Sequence, residues 1–455
     1  SFFRMPLLST PGFQARNISA RYNQKIMAAF GCGLMMTGGS VFLLQDGLIA
    51  GFALLAGIML GSALLLPLLL SKILGLVART ASGPLSEWVW ADMRAQLPGL
   101  SLSMMALMLA LATNIGVGTM VSSFRLTFLG WMDQRFSSEV YVTVTNDEQA
   151  KELTAWLDDR GITTLPIRWA EIPKEGSTIR VYGAMDHSTY RRNWPILQAD
   201  EFAWDNVFLG TGAMINEQLA RRHNLSTGDE LSLTRDWKIT VSGVYSDYGN
   251  PNGQIIVSLP KLIQIFPDSP RRQFGLQLPP RRVPDLIKKI RETFDSNHIF
   301  AIDQADIKAK SLAVFDRTFV VTGALNVLTL GVAGFAILTS LLTLWNMRLP
   351  QLAPVWALGV SRQQLAWLEL LRSIVLATLT AILALPLGLI LAWLLLSVIN
   401  VEAFGWKLPM YLFPLDWVLL LVLALISAAA AAAIPAFKLS RIKPSDLLKV
   451  FAHER

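Results

Sequence analysis

The stretch RLPQLAPVWALGVSRQQ, Arg348 to Gln364, separates two long apolar runs, Phe315 to Trp345 and Leu365 to Val398. Each run exceeds the roughly 20 apolar residues that cross a bilayer. The stretch therefore reads as the turn of a membrane hairpin. It holds two cations, Arg348 and Arg362, and no acid, which places it on the cytoplasmic side. Leu352, Val355, Trp356 and Leu358 set an apolar face against Gln351, Arg362, Gln363 and Gln364. Such a turn is either a docking knob for a partner or a helical connector resting on the headgroups.

Composition agrees with a membrane protein that also has a water-soluble part. Of 455 residues, 53% are hydrophobic and 16% charged, where soluble domains are about 25% charged. Ser123 to Phe315 contains 23 Lys and Arg against 24 Asp and Glu, and the remainder 17 against 9. The net charge of +7 thus lies beside membrane segments, as topology demands, and does not mark a nucleic-acid surface. The single cysteine, Cys32, excludes an internal disulfide, and the four histidines show no metal-ligand spacing.

In chain order, residues 1–25 form a basic cytoplasmic lead-in, with Arg16, Arg21 and Lys25. Two membrane helices within 26–70 follow, joined by the external turn Gln45-Asp46-Gly47; Gly31, Gly33, Gly38 and Gly39 favour close helix approach. Within 71–99, PLSEWVWADMRAQLP reads as an amphipathic helix on the cytoplasmic leaflet, with Trp88, Val89 and Met93 against Glu87, Asp92 and Arg94, ended by Pro98. Residues 100–122 form the third membrane helix. Residues 314–347 form a stalk and the fourth, 365–399 the fifth and 415–434 the sixth, closed by Pro435. Lys438, Arg441, Lys443 and Lys449 keep the tail 435–455 inside, so both termini are cytoplasmic.

The region 123–313 is one extracytoplasmic α+β domain. Val140–Val144, a helix over Asp147–Asp159 and Thr163–Arg168 give a β-α-β unit. Strands near Thr178–Val181 and Val207–Leu209 precede a helix over Ala213–His223. Glu230–Thr234 and Lys238–Val244 form a hairpin, and Asn252-Gly253 turns into a strand at Gln254–Ser258. A helix over Val283–Phe294 and a strand near His298–Ile302 complete a split β-α-β frame with a small β-rich insert. The fold class is thus an α-helical membrane protein of six transmembrane helices with an inserted α+β extracytoplasmic domain.

The chemistry that the sequence lacks is informative. There is no phosphate-binding G-x-x-x-x-G-K-[ST] loop, no G-x-S-x-G, no H-E-x-x-H and no C-x-x-C. Arg372 and Asn114 are the notable polar residues of the membrane runs, with no carboxylate near the midplane to serve an ion-coupled carrier. Arg372 is expected to snorkel to the cytoplasmic interface. Catalytic, cofactor-binding and metal residues are all read as none, and energy is expected from another subunit.

The turn carrying Arg348, Ala357, Leu358, Gly359, Ser361, Arg362 and Gln364 resembles that of FtsX-like, MacB-type ABC transporter permeases. Ile434-Pro435-Ala436 through Ser440-Arg441-Ile442-Lys443-Pro444-Ser445-Asp446-Leu447-Leu448 resembles the family's closing segment, and Ala213–Leu233, with Leu225, Gly228, Asp229 and Glu230, resembles its β-rich periplasmic insert. Gln351 stands where the family commonly has glutamate, and Pro350 and Pro354 depart from its coupling helix. The extra helices within 26–70 look like the middle pair of ten-helix members, so the chain is similar to the C-terminal half of such a permease, with an N-terminal half or second permease unit expected elsewhere.

The resemblance implies a permease subunit of the bacterial inner membrane. A separate cytoplasmic ABC ATPase, as a dimer, would hold the ATP and dock on Arg348, Leu352, Val355, Trp356, Leu358, Gly359, Ser361 and Arg362. Motion would pass to the external domain, moving a lipid-linked or hydrophobic substrate or driving a periplasmic partner. Membrane lipid is a further partner, and nucleic acid is not. A receptor-like sensor would need an output domain longer than the tail after Lys438; a membrane enzyme would need convergent His, Asp or Glu. In the domain, Asp147, Glu148, Asp158 and Asp159 read as a solvated helix face. Arg271, Arg272, Arg281 and Arg282, about Pro279-Pro280, read as an exposed basic loop or a contact for anionic headgroups.

Overall fold

The computed structural model describes residues 12–80, 83–135, 138–174, 177–234, 237–294, 298–344, 352, 355–356 and 359–441. Helices α1 (Gly12–Leu44), α2 (Leu48–Val77) and α3 (Pro84–Arg135) come first. The α+β elements follow: β1 (Val140–Val144), α4 (Asp147–Asp158), β2 (Thr163–Lys174), β3 (Ser177–Ala184), α5 (Ser188–Asn193), β4 (Ile196–Ala199), α6 (Ala203–Phe208), β5 (Gly212–Asn216), α7 (Glu217–Arg222), β6 (Glu230–Thr234), β7 (Trp237–Tyr245), β8 (Gly253–Ser258), α8 (Leu259–Ile265), β9 (Gln273–Gln277), α9 (Val283–Thr293) and β10 (Ile299–Asp303). The chain continues with α10 (Gln304–Thr343), α11 (Arg362–Leu394), a π-helical turn at Leu395–Ile399, α12 (Asn400–Phe404) and α13 (Pro414–Ser440).

Among the described residues, six helices are long and apolar enough to cross a membrane. The chain divides into two units: residues 1–122, 320–399 and 410–455, and residues 123–319 with 400–409.

In the helical unit, α1 and α2 pack backbone to backbone. A Cβ on Gly31 would stand 2.7 Å from the Gly61 carbonyl oxygen, and one on Gly57 2.6 Å from that of Leu34. Small residues permit this approach, which supplies packing where lipid gives no hydrophobic drive. Leu66, Leu70, Leu107, Leu111, Ala384 and Ala424 form part of a shared core. Helices α3 and α10 are joined by polar bonds: Asn114 Nδ2 donates to Thr329 Oγ1 (3.0 Å) and Ser103 Oγ to the Ala336 carbonyl (2.8 Å).

Two proline stops predicted from sequence do not occur. α3 runs through Pro98 and α13 runs through Pro435 to Ser440. Buried neighbours hold both helices across the missing N–H, Leu97 and Leu100 about Pro98, Ala436 and Leu439 about Pro435. The segment Pro84–Pro98 is therefore the first part of α3 and no separate interfacial helix. Its Met93 is 2% exposed in the core, and Trp88 packs beside Leu365 and Leu439.

The α+β unit is built on one sheet ordered β10-β1-β9-β2-β3-β8-β5-β7-β4, with β6 on β7. β9 lies between β1 and β2, antiparallel to both, so the predicted β-α-β unit is split by a strand from later in the chain. β2 spans two lobes, pairing β9 through Thr163–Ile167 and β3 through Arg168–Lys174. Period-2 alternation buries Val140, Val142 and Val144 beneath α4 and α9, and Ile179, Val181, Ile255 and Val257 beneath α7 and α8.

Two elements differ from the sequence reading. Val207 lies in helix α6, where Ala203, Trp204 and Val207 share a buried face. Ala213–Asn216 is the fully buried strand β5, and the helix begins only at Glu217, capped by Asn216 Oδ1, which accepts from Leu219 N (3.1 Å). Residues 400–409 belong to this unit too: Lys407 N donates to Glu217 Oε1 (3.1 Å).

Candidate functional site

The hairpin turn is shaped by three local features. Gly359 adopts φ +102°, and its N–H donates to the Trp356 carbonyl (2.9 Å). An L side chain is strained in that region. Ser361 then caps α11 reciprocally: Ser361 Oγ accepts from Gln364 N (3.2 Å), and Gln364 Oε1 accepts from Ser361 N (2.8 Å). Beside them Leu352 is 3% exposed among Leu365, Ala366, Ala436 and Leu439, with Val355, Trp356 and Val360 half-buried on the same cluster.

Of the residues predicted to dock a partner, Leu352 thus faces its own chain. Val355, Trp356 and Arg362 are half-buried, and Gly359 and Ser361 are exposed. Arg348 and Leu358 lie outside the described residues, as do Ala357, Gln351, Pro350, Pro354 and the closing segment from Ile442.

Arg372 does not snorkel. It is 3% exposed, its Nη1 2.5 Å from Asp92 Oδ2 on α3 and 3.0 Å from Glu369 Oε2 one turn earlier on α11. Gln96 Nε2 also donates to Asp92 Oδ2 (2.7 Å), and the guanidinium lies over the Trp88 ring at 4.7 Å. Sequence reasoning named Arg372 and missed Glu369, hidden near the start of the run in the apolar stretch LAWLELLRS. The i, i+3 spacing of Glu369 and Arg372 was the available signal.

The inserted domain holds a cavity of about 480 Å³. Its strand residues Tyr141, Tyr182, Gln254 and Gly275 alternate with the core residues of β1, β3, β8 and β9. The end of α3 forms another wall. Phe124, Phe128, Trp131 and Arg135 lie on one helix face, with Trp131 Nε1 donating to the Ser246 carbonyl (3.0 Å) and Arg135 stacked 4.3 Å over Trp194. Asp247, 4% exposed, accepts from Asn250 Nδ2 (2.7 Å) and Asn216 Nδ2 (3.4 Å). Burial pushes the Tyr190 and Tyr245 phenols above their ordinary range, in Tyr245 reinforced by the Asp247 carboxylate. None of this cavity was read from the sequence.

The domain surface joins two features that were read separately, since Arg272 Nε lies 3.3 Å from Asp147 Oδ1. Both are about half exposed, so the pair contributes little to stability. Among the described residues no cluster of three or more His, Cys, Asp or Glu is placed to hold a metal.

Six membrane-length helices among the described residues and a domain inserted between two of them define a multi-pass membrane protein. Residues 323–444 match the FtsX-like permease C-terminal family, and residues 100–293 match the MacB-like periplasmic core domain. The chain carries an FtsX-like permease C-terminal domain and, inserted between its helices, a MacB-like periplasmic core domain, as in ABC transporter permeases of the MacB and FtsX type. These are transporter subunits rather than a family of catalytic enzymes.

An ABC transporter permease protein of Mycobacterium tuberculosis is 26% identical over 379 residues, covering 79% of this chain and 44% of that protein. The chain thus spans less than half the length of this curated relative. The periplasmic region of MacB from Actinobacillus actinomycetemcomitans aligns at 10% identity with a TM-score of 0.29, covering 38% of this chain and 94% of that one. The extracellular domain of YknZ, a noncanonic ABC-type transporter from Gram-positive bacteria, aligns at 10% identity with a TM-score of 0.27, covering 36% and 100%.

Proposed function

We propose that the chain is the membrane subunit of an ATP-driven machine of the bacterial inner membrane, with both termini in the cytoplasm. A separate ATPase, acting as a dimer, docks at the hairpin turn 348–364. Its closure moves α3 and α10, and the periplasmic domain then displaces a lipid-linked or hydrophobic molecule or drives an envelope partner. A second permease unit completes the assembly. The observation that supports this reading is the continuity of two helices. α3 runs 52 residues and α10 runs 40, each joining membrane-spanning residues to the domain without a break. An uninterrupted hydrogen-bonded helix transmits displacement where a loop would absorb it.

The described part of the turn supports the docking role. Its described residues include a positive-φ glycine, a capping box, and Leu352 and Trp356 packed on one apolar cluster. The test is to express the full chain with the ATPase encoded beside it, isolate the permease and measure bound ATPase and ATP hydrolysis. Trp356→Ala is expected to reduce both. An unchanged complex would make the turn a connector, and no bound ATPase would favour a receptor. Gly359→Trp is a poor probe here, because it strains the turn before it touches a partner.

A further inference from the structure

We infer that the cavity of the periplasmic domain is a binding site for an amphipathic monoanion, with the anionic head on Arg135 and an apolar or aromatic body against Trp131, Tyr141 and Tyr190. This goes beyond the coupling role and stands without it.

The charge inventory of the cavity selects the head. Among the described residues, two arginines and one carboxyl group line it: Arg135, Arg180 and Asp247. Arg180 is committed to Glu171, 2.8 Å away, and lies over Trp169. Asp247 is committed to amide donors from Asn250 and Asn216. With the Gln254 amide oriented to suit its neighbours, its nitrogen donates to Asp247 Oδ2 (2.5 Å) and Tyr245 Oη (3.2 Å), and its oxygen accepts from Arg135 Nη2 (3.3 Å). Among the described residues, no carboxylate lies within 4.0 Å of the Arg135 guanidinium. Arg135 is therefore the one of these two arginines without an acid, held flat on Trp194, with donors for a carboxylate or phosphate.

The walls select the body. Trp131, Tyr141 and Tyr190 offer ring surface. The volume of about 480 Å³ falls within the range of small-molecule sites. Tyr190 stays a neutral phenol at ordinary pH, its ionisation opposed by burial, so it adds a hydroxyl and no competing charge. A molecule bound here touches α3 directly, through Trp131 and Arg135.

The experiment uses the full chain in lipid nanodiscs, with empty discs subtracted, and titration calorimetry without ATP or ATPase. The probes are 2-naphthoate, its neutral amide and inorganic phosphate. The expected result is saturable naphthoate binding, roughly tenfold weaker for the amide and for phosphate, and roughly tenfold weaker in Arg135→Gln. Ile167→Trp, which fills the cavity and keeps Arg135, should abolish it. If Arg135→Gln does not fold, naphthoate against amide on the unaltered protein, together with Ile167→Trp, decides the matter. Equal binding of acid and amide, full binding in either variant, or uptake matched by empty discs would overturn the assignment. Such failure would leave the ATPase result untouched, because no step of the assay uses the hairpin turn.

Discussion

Arg372 Nη1 sits 2.5 Å from Asp92 Oδ2, a charge pair that ties α11 to the first turns of α3 inside the helical unit. Asp92 and Glu369 side chains are 11% and 12% exposed, so the cluster is nearly out of water. Removing one partner from a buried pair is costly because the other charge stays buried. Asp92→Asn should destabilise by about 3 kcal/mol, less than a lone pair would show, since Glu369 remains. A thermal-unfolding double-mutant cycle of Asp92→Asn with Arg372→Met should give a coupling of about 2 kcal/mol; a value within ~0.5 kcal/mol of zero would make the contact incidental.

Gly359 holds a backbone conformation that resists replacement. Its φ of +102° costs a residue with a Cβ about 1–2 kcal/mol. Gly359→Ala should loosen the turn and speed tryptic cleavage after Arg362, while Ser361→Ala, which removes the cap, should do so by a smaller step. Cleavage at the unaltered rate in both would mean that the turn does not depend on this geometry.

Much of the helical unit was legible because a membrane run needs only length and apolarity, and Leu365–Val398 has both. The same criterion concealed part of its chemistry: Arg372 stood out of the run, while Glu369 three residues earlier was masked by its apolar neighbours. Pro98 and Pro435 misled because proline is a stop in water, whereas packed neighbours hold a membrane helix across it. In the domain, Ala-Met-Ile before Asn216 was ambiguous by period, since a central strand buried on both faces has no alternation. The turn's Gly-x-Ser-Arg spacing carried its cap in plain sight. Leu352 read as an outward face because its partners, Ala436 and Leu439, lie far along the chain.

Asn216 is the polar hub of the domain. Fully buried, it accepts from Leu219 N (3.1 Å) and Gln254 N (2.9 Å) and donates to the Asn252 carbonyl (2.9 Å). Asn216→Ala would leave these groups without partners in a dry site, at about 3 kcal/mol in total. Asn216→Asp keeps the acceptor but sets a second buried carboxyl against Asp247 and the Asn252 carbonyl, so it should cost at least as much. Hydrogen exchange at the β5 and β8 amides measures both; equal protection in all three proteins would remove Asn216 as a determinant.

The domain should also fail at alkaline pH. Tyr190 and Tyr245 have folded-state pKa values raised above the ordinary value of 10.0, chiefly by burial. A phenol whose pKa is raised on folding contributes its full stability below the unfolded value and loses it as pH rises through and beyond that value. Above pH ~10 each phenol withheld from ionisation therefore removes about 1.4 kcal/mol per pH unit, until its own folded pKa is reached. Absorbance at 295 nm should show these two of the seven tyrosines ionising with the loss of domain structure and not before it. Tyr190→Phe with Tyr245→Phe should flatten the decline between pH 10 and 11. Ionisation of all seven near pH 10 in a domain that stays folded would show that neither phenol is shielded from water.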